Sequence, residues 1–211
     1  MTDNTRWQRK TPRSSSLEET LEETATFYRR EIWDNQPEYV EIWSEKDAIS
    51  GVILPVTNGW HVPLMVTRGY PSLSFMYESA QSMLAAGRRV HVGYLGDLDP
   101  SGVDIRRNVE RRLREFGAGI DPDFQVLGVT RDQVSEYSLL TRPTKKSDSR
   151  SQNFSGESVE VDAIEPDELR RLVEEFIVHF VDQGRLAHLR LAEESERQIL
   201  RGVASCRQGL R

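Results

Sequence analysis

Two carboxylates one residue apart, Asp97 and Asp99, lie in the run Gly96-Asp97-Leu98-Asp99-Pro100-Ser101-Gly102. A third, Glu45, lies in Glu41-Ile42-Trp43-Ser44-Glu45-Lys46. Neighbouring anions on a tight turn are not buried together without a counter-charge. Either they face solvent at the rim of a sheet, or they hold a metal. Three carboxylates gathered in one crevice make a hard, oxygen-rich site suited to Mg²⁺ or Mn²⁺.

The elements around these acids decide whether they meet. Arg89 to Leu95 alternates and is rich in β-forming residues, which predicts a strand ending at the Asp-x-Asp turn. Tyr39 to Ser44 predicts a second strand, ending at Glu45. In an open α/β sheet, ligand sites form outside the carboxyl ends of the strands. If these two strands are parallel neighbours, Glu45, Asp97 and Asp99 share one crevice.

Further strands are expected at Val62 to Thr67 and Phe124 to Val129, with a helical or mixed segment at 46–56. Helical faces are expected at Leu73, Tyr77, Ala80 and Leu84, closed by Gly87, and at Gly102, Ile105, Val109, Leu113 and Phe116. Ser16 and Glu19 form a capping box for a first helix with Leu17, Leu21, Tyr28 and Ile32 on one face, stopped at Asn35-Gln36-Pro37. Pro166 starts a helix with Leu169, Leu172, Val173, Phe176, Ile177 and Phe180 on its buried face, and a more polar helix follows at about 185–203. This alternation predicts an α/β fold of the Rossmann-like type. Its core is about four parallel strands flanked by helices, with extra helices at both termini. Residues 1–37 read as a flexible start plus a helix. Residues 38–165 form the main domain, with a basic loop at 141–157, and residues 166–211 are C-terminal helices.

The composition narrows the function. A formal net charge of −6 over 211 residues argues against coating nucleic acid by bulk electrostatics, though not against an enzyme with local basic groups. One cysteine, Cys206, allows no intramolecular disulfide and no CxxC zinc pattern. With no apolar leader and no long apolar run, the expectation is a cytoplasmic protein without a membrane partner.

Laid out this way, the chain resembles the Toprim domain of topoisomerases, bacterial primases and several nucleases, whose pattern is a Glu after one strand and an Asp-x-Asp after a later one. The resemblance is to the Toprim domain of type IIB topoisomerase A subunits and their meiotic double-strand-break relatives, and to uncharacterised bacterial and phage Toprim-like proteins. It rests on Ser44-Glu45-Lys46-Asp47-Ala48, Arg68-Gly69-Tyr70-Pro71-Ser72, Gly96 to Gly102 and Val159-Glu160-Val161-Asp162-Ala163-Ile164, and covers roughly residues 38–181. It implies Mg²⁺- or Mn²⁺-dependent DNA cleavage. Asp97 and Asp99 would bind metal, while Glu45 would share that metal, hold a second one or act as acid/base.

One departure shapes the expectation. In type IIB enzymes the attacking tyrosine belongs to a winged-helix domain ahead of the Toprim domain, and the residues before Tyr39 are too few for one. Water is then the expected nucleophile of an endonuclease, and the start at Met1 is compatible with a truncated form of a longer architecture. The alternative is a topoisomerase-like or non-catalytic DNA-binding subunit that needs a winged-helix partner carrying the tyrosine. A homodimer is a further expected arrangement.

Lys46, Arg68, Lys145 and Lys146 are the candidate phosphate contacts, the last two in a loop that reads equally as a linker. The arginine-rich helix with Arg106, Arg107, Arg111, Arg112 and Arg114 carries Glu110 and Glu115 and reads as a solvated, self-paired face. Asp104 and Asp162 are weaker acidic candidates. Tyr28, Tyr39 and Tyr70 read as packing residues, and the four histidines lack metal-ligand spacing.

Overall fold

The computed structural model describes residues 14–143 and 157–206. Lys145 and Lys146 lie outside the described residues. The described residues divide into two compact units, one within 32–183 and one of residues 14–31 with 184–206.

The larger unit is an α/β fold on a four-stranded, all-parallel sheet of order β2-β1-β3-β4. The strands are β1 (Glu38–Ser44), β2 (Leu64–Val66), β3 (Arg89–Leu95) and β4 (Asp123–Gly128). Helices α2 (Asp47–Gly59), α3 (Leu73–Ala86) and α4 (Pro100–Phe116) make the crossovers, and α5 (Arg131–Glu136) and α6 (Pro166–His179) follow. β1 and β3 are buried along most of their length, as central parallel strands covered on both faces must be.

One face of the sheet packs Trp43, Val90, Val92 and Tyr94 against Met76, Ala80 and Met83 of α3 and Ile105, Val109 and Leu113 of α4. On the other face, α6 comes so close that a Cβ on Gly93 would lie 2.8 Å from Phe176 and from Leu127. α6 therefore packs with the sheet, and the larger compact unit runs through Gln183.

Two readings of helices change. The face of α3 is displaced by one position: Leu73 and Tyr77 are more than half exposed and Leu84 is 37% exposed, while Met76, Ala80 and Met83 are buried. Its sequence carries apolar residues on both sides, and contact with α4 selects the buried one. The first helix is α1 (Leu17–Phe27), so Tyr28 and Ile32 lie beyond it. α5, held by a Thr130–Gln133 capping box, is too short to show a period.

His91 lies at the amino end of the sheet, far along β3 from the acidic turn. It is buried, with Nε2 2.9 Å from Glu38 Oε2, Nδ1 3.2 Å from Asp123 Oδ2, and its ring stacked on Phe180. This is a structural placement, as expected for a histidine inside a strand.

In the smaller unit, α1 is capped by the Ser16 side chain and α7 (Gln183–Cys206) supplies the long helix. The Tyr28 hydroxyl donates to Glu196 Oε2 at 2.8 Å, and the Tyr28 carbonyl accepts from Arg197. Tyr28 is thus a packing and tethering residue. Among the described residues, no helix is long and apolar enough to cross a membrane.

Candidate functional site

Glu45 and Asp97 emerge from adjacent strands. β1 and β3 run in register from Glu38/Arg89 to Ser44/Leu95, and the Glu45 N–H continues the ladder by donating to the Leu95 carbonyl at 2.9 Å. Both acids therefore leave the sheet at its carboxyl edge. The Asp97 N–H donates to Glu45 Oε2 at 3.4 Å, a long bond that nonetheless aims the carboxylate at the start of the Asp-x-Asp turn.

That turn is pinned on both sides. Gly96 exchanges backbone bonds with the end of β4, donating to Gly128 at 2.8 Å and accepting from Val129 at 2.9 Å. Leu98 and Val159 form an antiparallel bridge, and Arg142 and Ser158 form another. The segment from Ser158 to the 3-10 turn Val161–Ala163 thus lies along the acidic turn, and the Val161 N–H donates to Asp97 Oδ1 at 2.8 Å.

Asp99 takes a different role in this arrangement. It is the N-cap of α4, its Oδ1 accepting from the Gly102 N–H at 2.7 Å, with Pro100 in the first turn. Gly102 is required by crowding. A Cβ there would lie 2.3 Å from the Asp97 carbonyl oxygen and 3.2 Å from Glu45 Oε2. A Gly102→Ala chain is expected to lose roughly 1–3 kcal/mol of stability through this overpacking, read as a lower urea midpoint. An unchanged midpoint would show that the turn yields freely.

Electrostatics mark the same pair. Burial, then the charges of Asp97 and Asp99, push Glu45 up to about 7, only partly opposed by the Asp97 N–H and Lys46. Burial also raises Asp97, against the Val161 N–H and Lys46. Lys46 sits among Asp97, Glu160 and Asp162; burial would lower its pKa, but these carboxylates hold it above its ordinary value. Beneath Gly96 lies the buried Tyr94. A Cβ on Gly96 would meet the Tyr94 ring at 2.5 Å and Glu45 Oε2 at 3.0 Å. The Tyr94 hydroxyl is the one buried side-chain polar atom without a hydrogen-bond partner among the described residues.

These features bear on metal binding. The donor set is all carboxylate oxygen, and burial raises two of its members, with neighbouring carboxylate charge adding to both. The orphaned Tyr94 hydroxyl beside them is a group that an ordered water would satisfy. The side chains are not gathered as ligands, however. Among the described residues, no group of three or more acids, histidines or cysteines stands in ligating geometry. The chemistry fits a divalent cation, while Oδ1 of Asp99 is engaged as the cap and Oδ1 of Asp97 by Lys46 and the Val161 N–H.

The other candidates are dispersed. Arg68 lies just beyond β2, in left-handed backbone (φ 53°), and pairs with Asp47 Oδ2 at 3.0 Å rather than with the acids. Asp104 is exposed and accepts from the Tyr70 hydroxyl. On α4, Arg111 and Arg112 pair with Glu115, and Arg114 pairs with Glu110 and Asp121, so much of that basic face is self-neutralised. Glu160 is the site residue that sequence reasoning left without a role, and Asp162 is closer to the centre than expected. Their spacing, two acids one residue apart, repeats that of Asp97 and Asp99 and is the signal that could have found them.

No protein-family model matches this chain, and no curated protein matches it.

Proposed function

We propose that this chain is a divalent-metal-dependent phosphodiesterase of the Toprim type, an endonuclease that cleaves DNA with water as nucleophile. The observation that carries the reading is the pairing of Glu45 and Asp97 at the carboxyl ends of neighbouring parallel strands, both raised by burial, with Asp99 close behind. Glu45, Asp97 and Asp99 would hold Mg²⁺ or Mn²⁺. When bound, the metal would supply positive charge to offset the negative charge building on the scissile phosphate and to acidify the attacking water. If Glu45 does not hold the metal, its carboxylate at the mouth of the Asp97 turn is placed to take or return a proton instead. Gly96 and Gly102 let the Asp97 turn and the first turn of α4 close on that carboxylate.

Incubation of pure protein with supercoiled plasmid and Mg²⁺, Mn²⁺ or EDTA tests the reading. Nicked product is expected with either metal and none with EDTA. Intact plasmid under every condition would sink it.

A second reading is a topoisomerase-like or non-catalytic DNA-binding subunit, cooperating with a winged-helix partner that brings the tyrosine. Its support is that Asp99 Oδ1 serves as the α4 cap, a structural use of one of the three acids. Metal-dependent DNA binding without nicking is its signature. In either case we place the protein in the cytoplasm, with DNA as its substrate or ligand and either a winged-helix protein or a second copy of the chain as its partner.

Lys145 and Lys146 carry the next expectation. If they grip phosphate, their replacement by Ala weakens DNA binding for all sequences alike and lowers the salt slope by roughly one unit for each phosphate no longer held. Isotherms at several salt concentrations measure this, and unchanged slopes would leave 141–157 as a linker.

A further inference from the structure

The acids around Asp97 hold a cation that the chain itself supplies. Lys46 Nζ lies 3.0 Å from Glu160 Oε2, 3.2 Å from Asp97 Oδ1 and 3.3 Å from Asp162 Oδ1, with its side chain only 23% exposed. Three anions face one ammonium, and the group stays short of positive charge even after Arg142 pairs with Glu160 at 2.5 Å.

The receiver for this ammonium is set by backbone. Leu98 and Val159 exchange both of their hydrogen bonds, at 2.9 and 3.0 Å, and the Val161 N–H is fixed on Asp97. Glu160 and Asp162 are therefore presented at the turn without help from Lys46. Lys46 itself follows Glu45 directly and stands at the N-cap of α2, where its side chain makes no capping bond. A four-carbon stem bearing three donors can be redirected with little cost to the backbone.

Resting on the functional reading above, we propose that Lys46 is a stored phosphate anchor. Glu160 and Asp162 are positioning residues that keep its ammonium on Asp97. A divalent cation arriving at the Asp97 carboxylate meets a like charge 3.2 Å from its Oδ1, and the two repel each other. The ammonium then turns to a DNA phosphate, so that the grip on the substrate strengthens as the metal loads. The lysine thereby also spares Asp97 an uncompensated charge while the metal is away.

Two measurements on the full chain test this. In calorimetry with Mn²⁺ alone, Lys46→Met is expected to bind the ion roughly tenfold more tightly than wild type, and Lys46→Arg about as wild type does. Equal affinity in wild type and Lys46→Met overturns the proposal. In duplex-DNA binding across salt concentrations, the slopes of wild type and Lys46→Met should differ by about one unit in Ca²⁺ and hardly at all in EDTA. The Glu160→Gln/Asp162→Asn chain should show the Lys46-dependent unit already in EDTA, and lose it when Lys46→Met is added. The same slope difference with and without metal overturns the storage role. Wild type that binds no DNA at any salt refutes the DNA reading itself, whereas wild type that binds DNA with metal-independent slopes refutes only the stored lysine.

Discussion

Glu45→Gln is expected to slow metal-dependent plasmid nicking by about 10²–10³-fold, the range for loss of one charge-stabilising group at a reacting centre. The substitution keeps the shape of the side chain and an oxygen able to accept the Asp97 N–H. It removes an anion that burial and the charges of Asp97 and Asp99 all disfavour. Stability at neutral pH should therefore hold or rise while activity collapses. A residue needed only for packing would lower both together. Nicking rate and urea midpoint on one preparation separate the cases. Nicking within a few fold of wild type would refute the assignment of Glu45.

The second large effect is on stability and lies away from the site. Glu41 sits in the middle of β1, 1% exposed, with its carboxylate accepting from Trp43 Nε1 at 2.8 Å and the Tyr39 hydroxyl at 2.9 Å. Burial pushes its pKa up to about 7, although both hydrogen bonds favour the ionised form. The sign follows from proton counts. Between the ordinary carboxylate range and pH 7, the unfolded chain has released this proton and the folded chain retains it. Unfolding then releases a proton, so stability falls as pH rises across that window and levels off above it. The rise from 4.5 to about 7 puts about 3 kcal/mol at stake, one pKa unit being worth about 1.4 kcal/mol. Glu41→Gln should match wild type near pH 5 and exceed it by about that amount at pH 8. Glu45 titrates in the same direction in both chains and leaves the difference intact. Urea unfolding at pH 5, 6.5 and 8 measures the effect, and parallel curves would remove Glu41 as its source.

What the sequence reveals depends on how far apart the interacting residues are. The strands before Glu45 and Asp97 were legible because alternation and β-branched content are local, and the observed strands differ from expectation by a residue or so. Gly87 closes α3 in left-handed backbone, as a glycine after a helical run announces. The outward turn of Leu73 and Tyr77 was not legible, since α3 offers apolar residues on two faces and only its neighbour chooses. Asp99 shows the same limit: its spacing suits a metal ligand and an N-cap equally, and the structure uses the cap. Glu160 reaches the site through one antiparallel bridge to Leu98, an event no local pattern encodes.

The pinned turn also fixes when the site comes into being. The contact from Asp97 to Glu45 spans 52 positions of the chain, and that from Val161 back to Asp97 spans 64. Long closures of this kind form late, because their ordering entropy is lost before any contact rewards it. A nascent chain that has emerged only as far as β4 carries all three carboxylates and both central strands, yet lacks the segment that covers the turn. Until Val159 meets Leu98, such a chain holds the charges without the backbone that pins them.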